Sequence, residues 1–315
     1  MHVTAFPGPL QSMVFRNADL PKLFHHTDSV AIARQREAVN TIRSQLFLLV
    51  VGAALAALPW RLKLGGTFQL VSALSALAYA GVLLMTYRAT RRRAKSHWQL
   101  NRSAADFIKS MCWRYAVHGT PFDSDSPDHE RLFIAQVEEG LRELRKVGWQ
   151  DPRDGSAGLP EAGDPDLITA AMRELRAKSF GVRRETYVRD RLIEQRNWYR
   201  RRQDRTRRAA ALWSAAIVVL TALALLFGTL RAFSVAEPAD LAGLLSASAA
   251  ACIAWSESRR HQPLIAALSL VEQDLMAMHT AMENTVGERQ WASAVYETER
   301  IVSPQHTEWV ARHRS

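Results

Sequence analysis

Four stretches of the chain carry no charged side chain, residues 44–60, 64–87, 209–230 and 241–256, and they come in two close pairs. A helix rises about 1.5 Å per residue and the hydrocarbon core of a bilayer is about 30 Å thick, so the second and third stretches are long enough to cross it. The first and fourth reach only about 24 to 26 Å on the same rise. They need snorkelling by flanking side chains such as Arg43 and Arg61, or local thinning of the bilayer. Short loops at 61–63 and 231–240 would fold each pair into a helical hairpin, which satisfies every backbone group inside lipid. The expected fold class is therefore an all-α integral membrane protein with two transmembrane helical hairpins, four spans in total. Long cytoplasmic helices would form a helical bundle beside them. Four buried helices of a soluble bundle are the alternative.

Charge enters where it locates these segments. The chain holds 41 Lys+Arg against 31 Asp+Glu, a net charge of +10, a balance that suits nucleic acid and anionic lipid equally. Placement separates the two. Basic residues precede the first stretch (Arg34, Arg36, Arg43), follow the second (Arg88, Arg91, Arg92, Arg93, Lys95), precede the third (the run at 200–208) and follow the fourth (Arg259, Arg260). Both short loops are poor in charge by comparison. The positive-inside rule then places both termini and the central region in the cytoplasm, and all four spans agree. This favours the membrane over nucleic acid as the partner of the basic run. The first fifteen residues lack the basic start of a cleavable signal, so the first apolar stretch is expected to direct insertion itself. Cys112 and Cys252 offer neither a disulfide framework nor a metal-ligand spacing.

Outside these stretches the pattern is helical. Trp98, Asn101, Ala105, Ile108, Cys112 and Tyr115 recur by threes and fours, as do Phe133, Val137, Gly140, Leu144 and Val147. Leu264, Leu268, Val271, Leu275, Met278 and Met282 keep a 4-3-4-3-4 spacing, a seam that packs within the monomer or against a second subunit. A Pro/Gly/Asp-rich linker at 151–163 separates a module at 1–150 from one at 164–315. Each module has a basic entry helix with a Gln-Arg pair (Gln35-Arg36, Gln195-Arg196), a hairpin and an amphipathic exit helix, which points to a duplicated two-span unit.

The run ITAAMRELRAKSFGVRRETYVRDRLIEQRNWYRRR, residues 168–202, resembles the entry helix of SLATT domains, a bacterial group of two-transmembrane proteins, at Met172, Leu175, Arg176, Arg184, Tyr187, Arg191, Gln195, Trp198 and Tyr199. LPKLFHHTDSVAIARQ and WQLNRSAADFIKSMCWRYAVHGTPF resemble the corresponding parts of a first module, with Gln35, Trp98, Arg102, Lys109, Trp113, Arg114, Tyr115 and Phe122 in place. Asp106 stands where the resemblance leads one to expect glutamate. ETERIVSPQHTEWVARHR, with Glu299 and Trp309, resembles the end of a second module. The resemblance implies an oligomeric effector of the bacterial cytoplasmic membrane. Such a protein forms a pore or perturbs the bilayer when a nucleotide-second-messenger synthase or sensor signals, in anti-phage or conflict systems. A passive membrane scaffold or sensor is the alternative.

Enzymatic and transport functions find little support. No Gly-rich phosphate loop, nucleophile elbow or HExxH pattern occurs, and no cofactor is expected. Asp123, Asp125, Asp128, His129 and Glu130 resemble a metal cluster only superficially, since an acidic helix start accounts for them. The four stretches contain no ionisable Asp, Glu, Lys, Arg or His that could relay ions. They do carry small or weakly polar faces, Gln69, Ser72 and Ser75 in the second and Ser214, Thr221 and Gly228 in the third, suited to close packing or to lining a pore. The entry-helix face Tyr187, Arg191, Gln195, Trp198 and Tyr199 is the candidate contact surface on the cytoplasmic side.

Overall fold

The computed structural model describes residues 13–58, 63–64, 68–92, 94–123, 128–154, 167–233, 240–259, 261–283 and 287–302. Arg93, Asp125, Arg260, Trp309 and positions 155–163 of the linker lie outside them. In chain order the elements are α1 (Lys22–Ala57), β1 (Lys63–Leu64), β2 (Phe68–Gln69), α2 (Leu70–Arg92), α3 (Ala94–Ala116), α4 (His129–Lys146), α5 (Ala170–Ala177) and α6 (Phe180–Tyr187). A π-helical stretch (Val188–Ile193) leads into α7 (Glu194–Ala232), followed by α8 (Leu241–Arg259), α9 (His261–Glu283) and α10 (Glu288–Val302).

Two compact units divide the chain, and neither follows its order. The first gathers the described residues of 1–33, 96–201 and 268–315; the second gathers those of 34–95 and 202–267. Both halves of the sequence therefore contribute to each unit.

The first unit has an aromatic spine. Phe15 meets Trp113 of α3 edge-on at 4.8 Å, Trp113 meets Tyr187 at the end of α6 at 5.7 Å, and Tyr187 meets Trp291 of α10 at 5.6 Å. Offset and edge-on ring pairs gain quadrupole attraction beyond their buried area. The Trp291 indole donates to the Val117 carbonyl at 2.9 Å, so its polar edge is satisfied inside the core. α4 is oriented by acid in its first turn (Glu130) and base in its last (Arg145, Lys146), which complements the helix dipole. It stops where Gly148 takes φ 96°: the Gly148 and Trp149 amides return to the carbonyls of Arg145 (2.9 Å) and Leu144 (3.0 Å) in a Schellman cap. α4 buries Phe133, Val137, Leu141 and Leu144, so the seam passes through Leu141, while Gly140 lies against the Phe107 ring. In α9 the positions seven apart, Leu268, Leu275 and Met282, are buried within the chain.

In the second unit α1 packs on α2 at Gly52. The Ser75 hydroxyl donates to the Gly52 carbonyl at 2.9 Å, and a Cβ on Gly52 would sit 3.0 Å from the Tyr79 ring. Gln45 donates to the Thr86 hydroxyl at 3.0 Å farther along the same pair. α7 meets α8 through Trp213 and Trp255, with ring centroids 6.2 Å apart. The Asp240 amide, just before α8, donates to the carbonyl of Ala57 at 3.4 Å.

Among the described residues three helices are long and apolar enough to cross a membrane: Lys22–Ala57, Leu70–Ala89 and the continuous rod Phe180–Ala232. The fourth expected span lies in α8, Leu241–Arg259, whose uncharged run stops at Glu257, with Arg259 closing the helix. The second span begins at Leu70 rather than Leu64, because β1 and β2 pair antiparallel, Lys63 with Gln69 and Leu64 with Phe68, in a two-stranded ribbon. Gln69 consequently sits on a strand and not on the apolar helix.

Candidate functional site

The site is a buried ionic network in the first unit. It grows from the end of the π-helical stretch, where Arg191 is only 4 % exposed. Its Nε and Nη2 donate to the two carboxylate oxygens of Glu299 on α10 at 2.8 and 2.6 Å, a bidentate fork. The Tyr187 hydroxyl donates to the same carboxylate at 2.9 Å. Burial opposes the charge on Arg191, but the Glu299 carboxylate outweighs it and holds the guanidinium firmly protonated. The Tyr187 phenol is pushed well above its ordinary range by burial and by the adjacent negative charge.

Helix α3 adds the second half. Arg102 pairs with Asp106 one turn on at 3.0 Å and reaches Asp28 of α1 at 3.1 Å. Burial raises the Asp106 carboxyl above its usual range despite the favourable charges of Arg102, Arg191 and Lys109. Lys109 is lowered to about 8, first by burial and then by the like charge of Arg191, against the opposing pull of Glu299, Asp106 and Glu194. Asp28, Arg102, Asp106, Lys109, Arg191, Glu299 and Tyr187 thus form one electrostatic cluster fed by α1, α3, the entry rod and α10. Such a cluster fixes the register of four elements and responds as a whole to loss of any one charge. Among the described residues no group of three His, Cys, Asp or Glu is placed to hold a metal.

The sequence-derived residues distribute unevenly. Tyr187, Arg191, Lys109 and Asp106 meet in the cluster, and Tyr199, 8 % exposed, lies beside α10 with its hydroxyl 3.5 Å from the Val302 carbonyl. Gln195 is half-buried on the same rod, but Trp198 is 45 % exposed and leans edge-on against Tyr199. Trp113 and Tyr115 are core rings, Trp98 is half-buried on α3, and Gln35 belongs to the other unit. Glu130 is engaged by Arg173 at 2.7 Å. In the second unit Ser75 faces α1, whereas Ser214 and Thr221 are exposed on α7, Thr221 bonding back to the Ile217 carbonyl at 2.8 Å. Ser72 is exposed and bonds Gln69 at 3.3 Å, and Gly228 has open space around its Cα.

Sequence reasoning missed Asp190, and it named Arg176 only for the family resemblance and not for its role in the core. Asp190 accepts from the Phe15 amide at 3.0 Å and so ties the N-terminal segment to the π-helical stretch. Arg176 of α5 donates to the carbonyls of Tyr115 (2.8 Å) and Phe122 (3.0 Å), and its guanidinium stacks 4.9 Å over the Tyr115 ring. The signal for Arg176 was its place beside Met172 and Leu175 on the buried stripe of α5.

Comparison with known families matches residues 21–184 to the SMODS and SLOG-associating 2TM effector domain 3, and residues 187–309 to the SMODS and SLOG-associating 2TM effector domain 1. The chain belongs to the SLATT family. No curated protein and no solved structure matches it. The two SLATT matches meet between Arg184 and Tyr187, just before the π-helical stretch. The ionic cluster therefore joins them: Asp28, Arg102, Asp106 and Lys109 come from the first match, and Tyr187, Arg191 and Glu299 from the second. As tandem SLATT domains, with three helices able to cross a bilayer, the protein is a membrane effector by family.

Proposed function

We propose that the protein is an oligomeric effector of the bacterial cytoplasmic membrane that opens a pore or disorders the bilayer when a nucleotide-signalling partner acts on it. One observation carries this beyond the family assignment. The apolar side chains of α2 and α7 point outward: Leu77, Leu83, Leu212, Val218 and Leu225 are 68, 72, 71, 67 and 69 % exposed. Exposure on this scale in water would carry a large hydrophobic cost, and lipid or neighbouring copies relieve it. In this reading α8 completes a fourth span, the basic flanks stay inside, and both termini are cytoplasmic.

The exposed small-residue face of α7, with Ser214 and Thr221, suits contact with a second chain, because small residues let helices approach closely. Four helices enclose too little space for a wide conduit, so a pore is built from several chains. The protein performs no catalysis in this scheme. The trigger reaches it through the first unit, whose ionic cluster couples both SLATT modules. A passive scaffold is the competing reading. Current through planar bilayers containing purified protein, with its partner's nucleotide added, separates the two: triggered conductance supports the effector, and a silent bilayer supports the scaffold.

A further inference from the structure

Three arginines from three helices of the second unit converge without a carboxylate. The Arg43 guanidinium of α1 lies 5.7 Å from the centre of the Trp255 indole, and that of Arg259 lies 5.6 Å from the same ring. Arg259 is partly desolvated and feels the positive charges of Arg202, from α7, and of Arg43. Among the described residues no acidic side chain pairs with any of the three. The ring faces offset part of the mutual repulsion, but an indole accepts no N–H donor in its plane, so most of the five donors on each guanidinium stay unused. Bringing like charges together in a desolvated place is unfavourable unless an anion bridges them. Guanidinium forks match the oxygen geometry of a phosphate, which a lysine would bind only as a point charge.

The surroundings set the depth. Trp213 and Trp255 lie where the apolar runs of α7 and α8 meet their basic flanks, the place at which tryptophan settles in a membrane interface. Basic pockets between spans on the cytoplasmic side are suited to anionic headgroups.

We propose that Arg43 and Arg259, held on the Trp255 ring, together with Arg202, whose charge acts on Arg259, form a phosphate-binding site for an anionic phospholipid headgroup. The site concerns binding and not conduction. It rests only on the membrane location and stands equally for a pore or a scaffold, so a silent bilayer leaves it untouched.

The test uses the full chain, delipidated in neutral detergent and titrated with phosphatidylglycerol or phosphatidylcholine, with bound lipid counted by native mass spectrometry. Wild type retains phosphatidylglycerol over phosphatidylcholine, and R43Q/R259Q weakens phosphatidylglycerol binding by about tenfold or more, the scale of lost charge-assisted hydrogen bonds. R205Q/R208Q removes the same charge from exposed positions of the basic run and changes binding less than about twofold. Arg202→Gln leaves both ring contacts in place, so it tests the site even if the double variant folds poorly; about a threefold loss is expected from one of three charges. Inorganic pyrophosphate identifies the source of the phosphate. Equal losses from the two double variants would reduce the site to diffuse attraction and overturn the proposal. Tight pyrophosphate binding that depends on Arg43 and Arg259, with no retention of phosphatidylglycerol, would overturn the lipid assignment in favour of a soluble phosphate.

Discussion

Glu299→Gln removes the charge against which Arg191 is buried while keeping the size of the side chain. In the wild type the carboxylate accepts from Arg191 at 2.8 and 2.6 Å and from the Tyr187 hydroxyl at 2.9 Å, in a place where Glu299 is 1 % exposed. The amide of glutamine keeps one acceptor but turns an N–H₂ toward a guanidinium or phenol donor, and Arg191 remains charged with nothing to balance it. Breaking a buried pair by removing one partner costs about 3–5 kcal/mol. At about 2–4 °C per kcal/mol for a unit of this size, the apparent melting point falls by about 6–20 °C. Helical circular dichroism of the full chain in detergent, heated at a fixed rate, reads it directly. Tyr187→Phe leaves the fork intact and costs about 1 kcal/mol. Arg191→Met with Glu299→Leu removes both charges and recovers to within about 1 kcal/mol of wild type. A melting point within 2 °C of wild type for Glu299→Gln, on the scale of a surface change, would refute the claim that this pair holds the modules together. So would a double variant less stable than Glu299→Gln alone.

Three further outcomes are expected. Lys109 titrates at about 8 in the folded chain against 10.5 for an ordinary lysine, so the unfolded chain binds the extra proton between those values and stability rises with pH across that window. The cost of holding the charged ammonium, at most about 3 kcal/mol, is fully present below pH 8; Lys109→Met therefore raises the melting point at pH 7 and removes the rise, measured against wild type at pH 7 and 10. Gln45→Cys with Thr86→Cys, in a chain whose Cys112 and Cys252 are replaced, cross-links α1 to α2 under mild oxidation, and Gly52→Leu suppresses the cross-link because its side chain collides with the Tyr79 ring; unchanged yield would show that Gly52 sets no close approach. Single cysteines at Leu62 or Val235 react with an impermeant thiol reagent added to intact cells, while those at Ala162 or Ser315 stay protected; labelling of Ala162 from outside would reverse the topology.

Local pattern and tertiary pairing were legible to different degrees. The apolar runs showed where α1, α2 and α7 lie, because length and absence of charge are properties of the chain alone. They did not show that α2 starts only at Leu70, since the two-residue strands before it depend on a turn and carry no periodicity of their own. Nor did a division at 151–163 foresee units drawn from both halves, because α3, α6 and α10 join through the ring contacts of Trp113, Tyr187 and Trp291, which are distant in sequence. Arginine was the hardest residue to read. In the run 173–208 Arg173, Arg200, Arg201, Arg205, Arg207 and Arg208 are exposed, and Arg176, Arg183 and Arg191 go inward for reasons visible only when their acceptors arrive from α3 and α10.

The entry rod shows how one irregular turn redirects a site. Counting from Tyr187 at 3.6 residues per turn brings position 198 onto the buried face, and on that count Trp198 should be enclosed and Tyr199 turned aside. The reverse is found: Arg191, Leu192, Tyr199, Gln203 and Thr206 are buried, and Trp198 is exposed. A π-helical turn takes one residue more than an α-turn, so the stretch Val188–Ile193 advances every later position by one and moves the face from 198 to 199. The same extra residue lets Arg191 and Leu192 both point inward, one into the ionic cluster and one into the core. The cluster and the phase of the apolar rod beyond it thus depend on a single local feature. Deleting one residue from that stretch leaves Tyr199 eleven α-helical steps from Tyr187, so the rod becomes α-helical throughout with Tyr199 still buried and Trp198 still exposed, read as an unchanged Trp198 emission in a chain whose other tryptophans are replaced by phenylalanine. If the emission of Trp198 shifts to the blue, the deletion has rotated the rod and the π-helical turn does not absorb the extra residue.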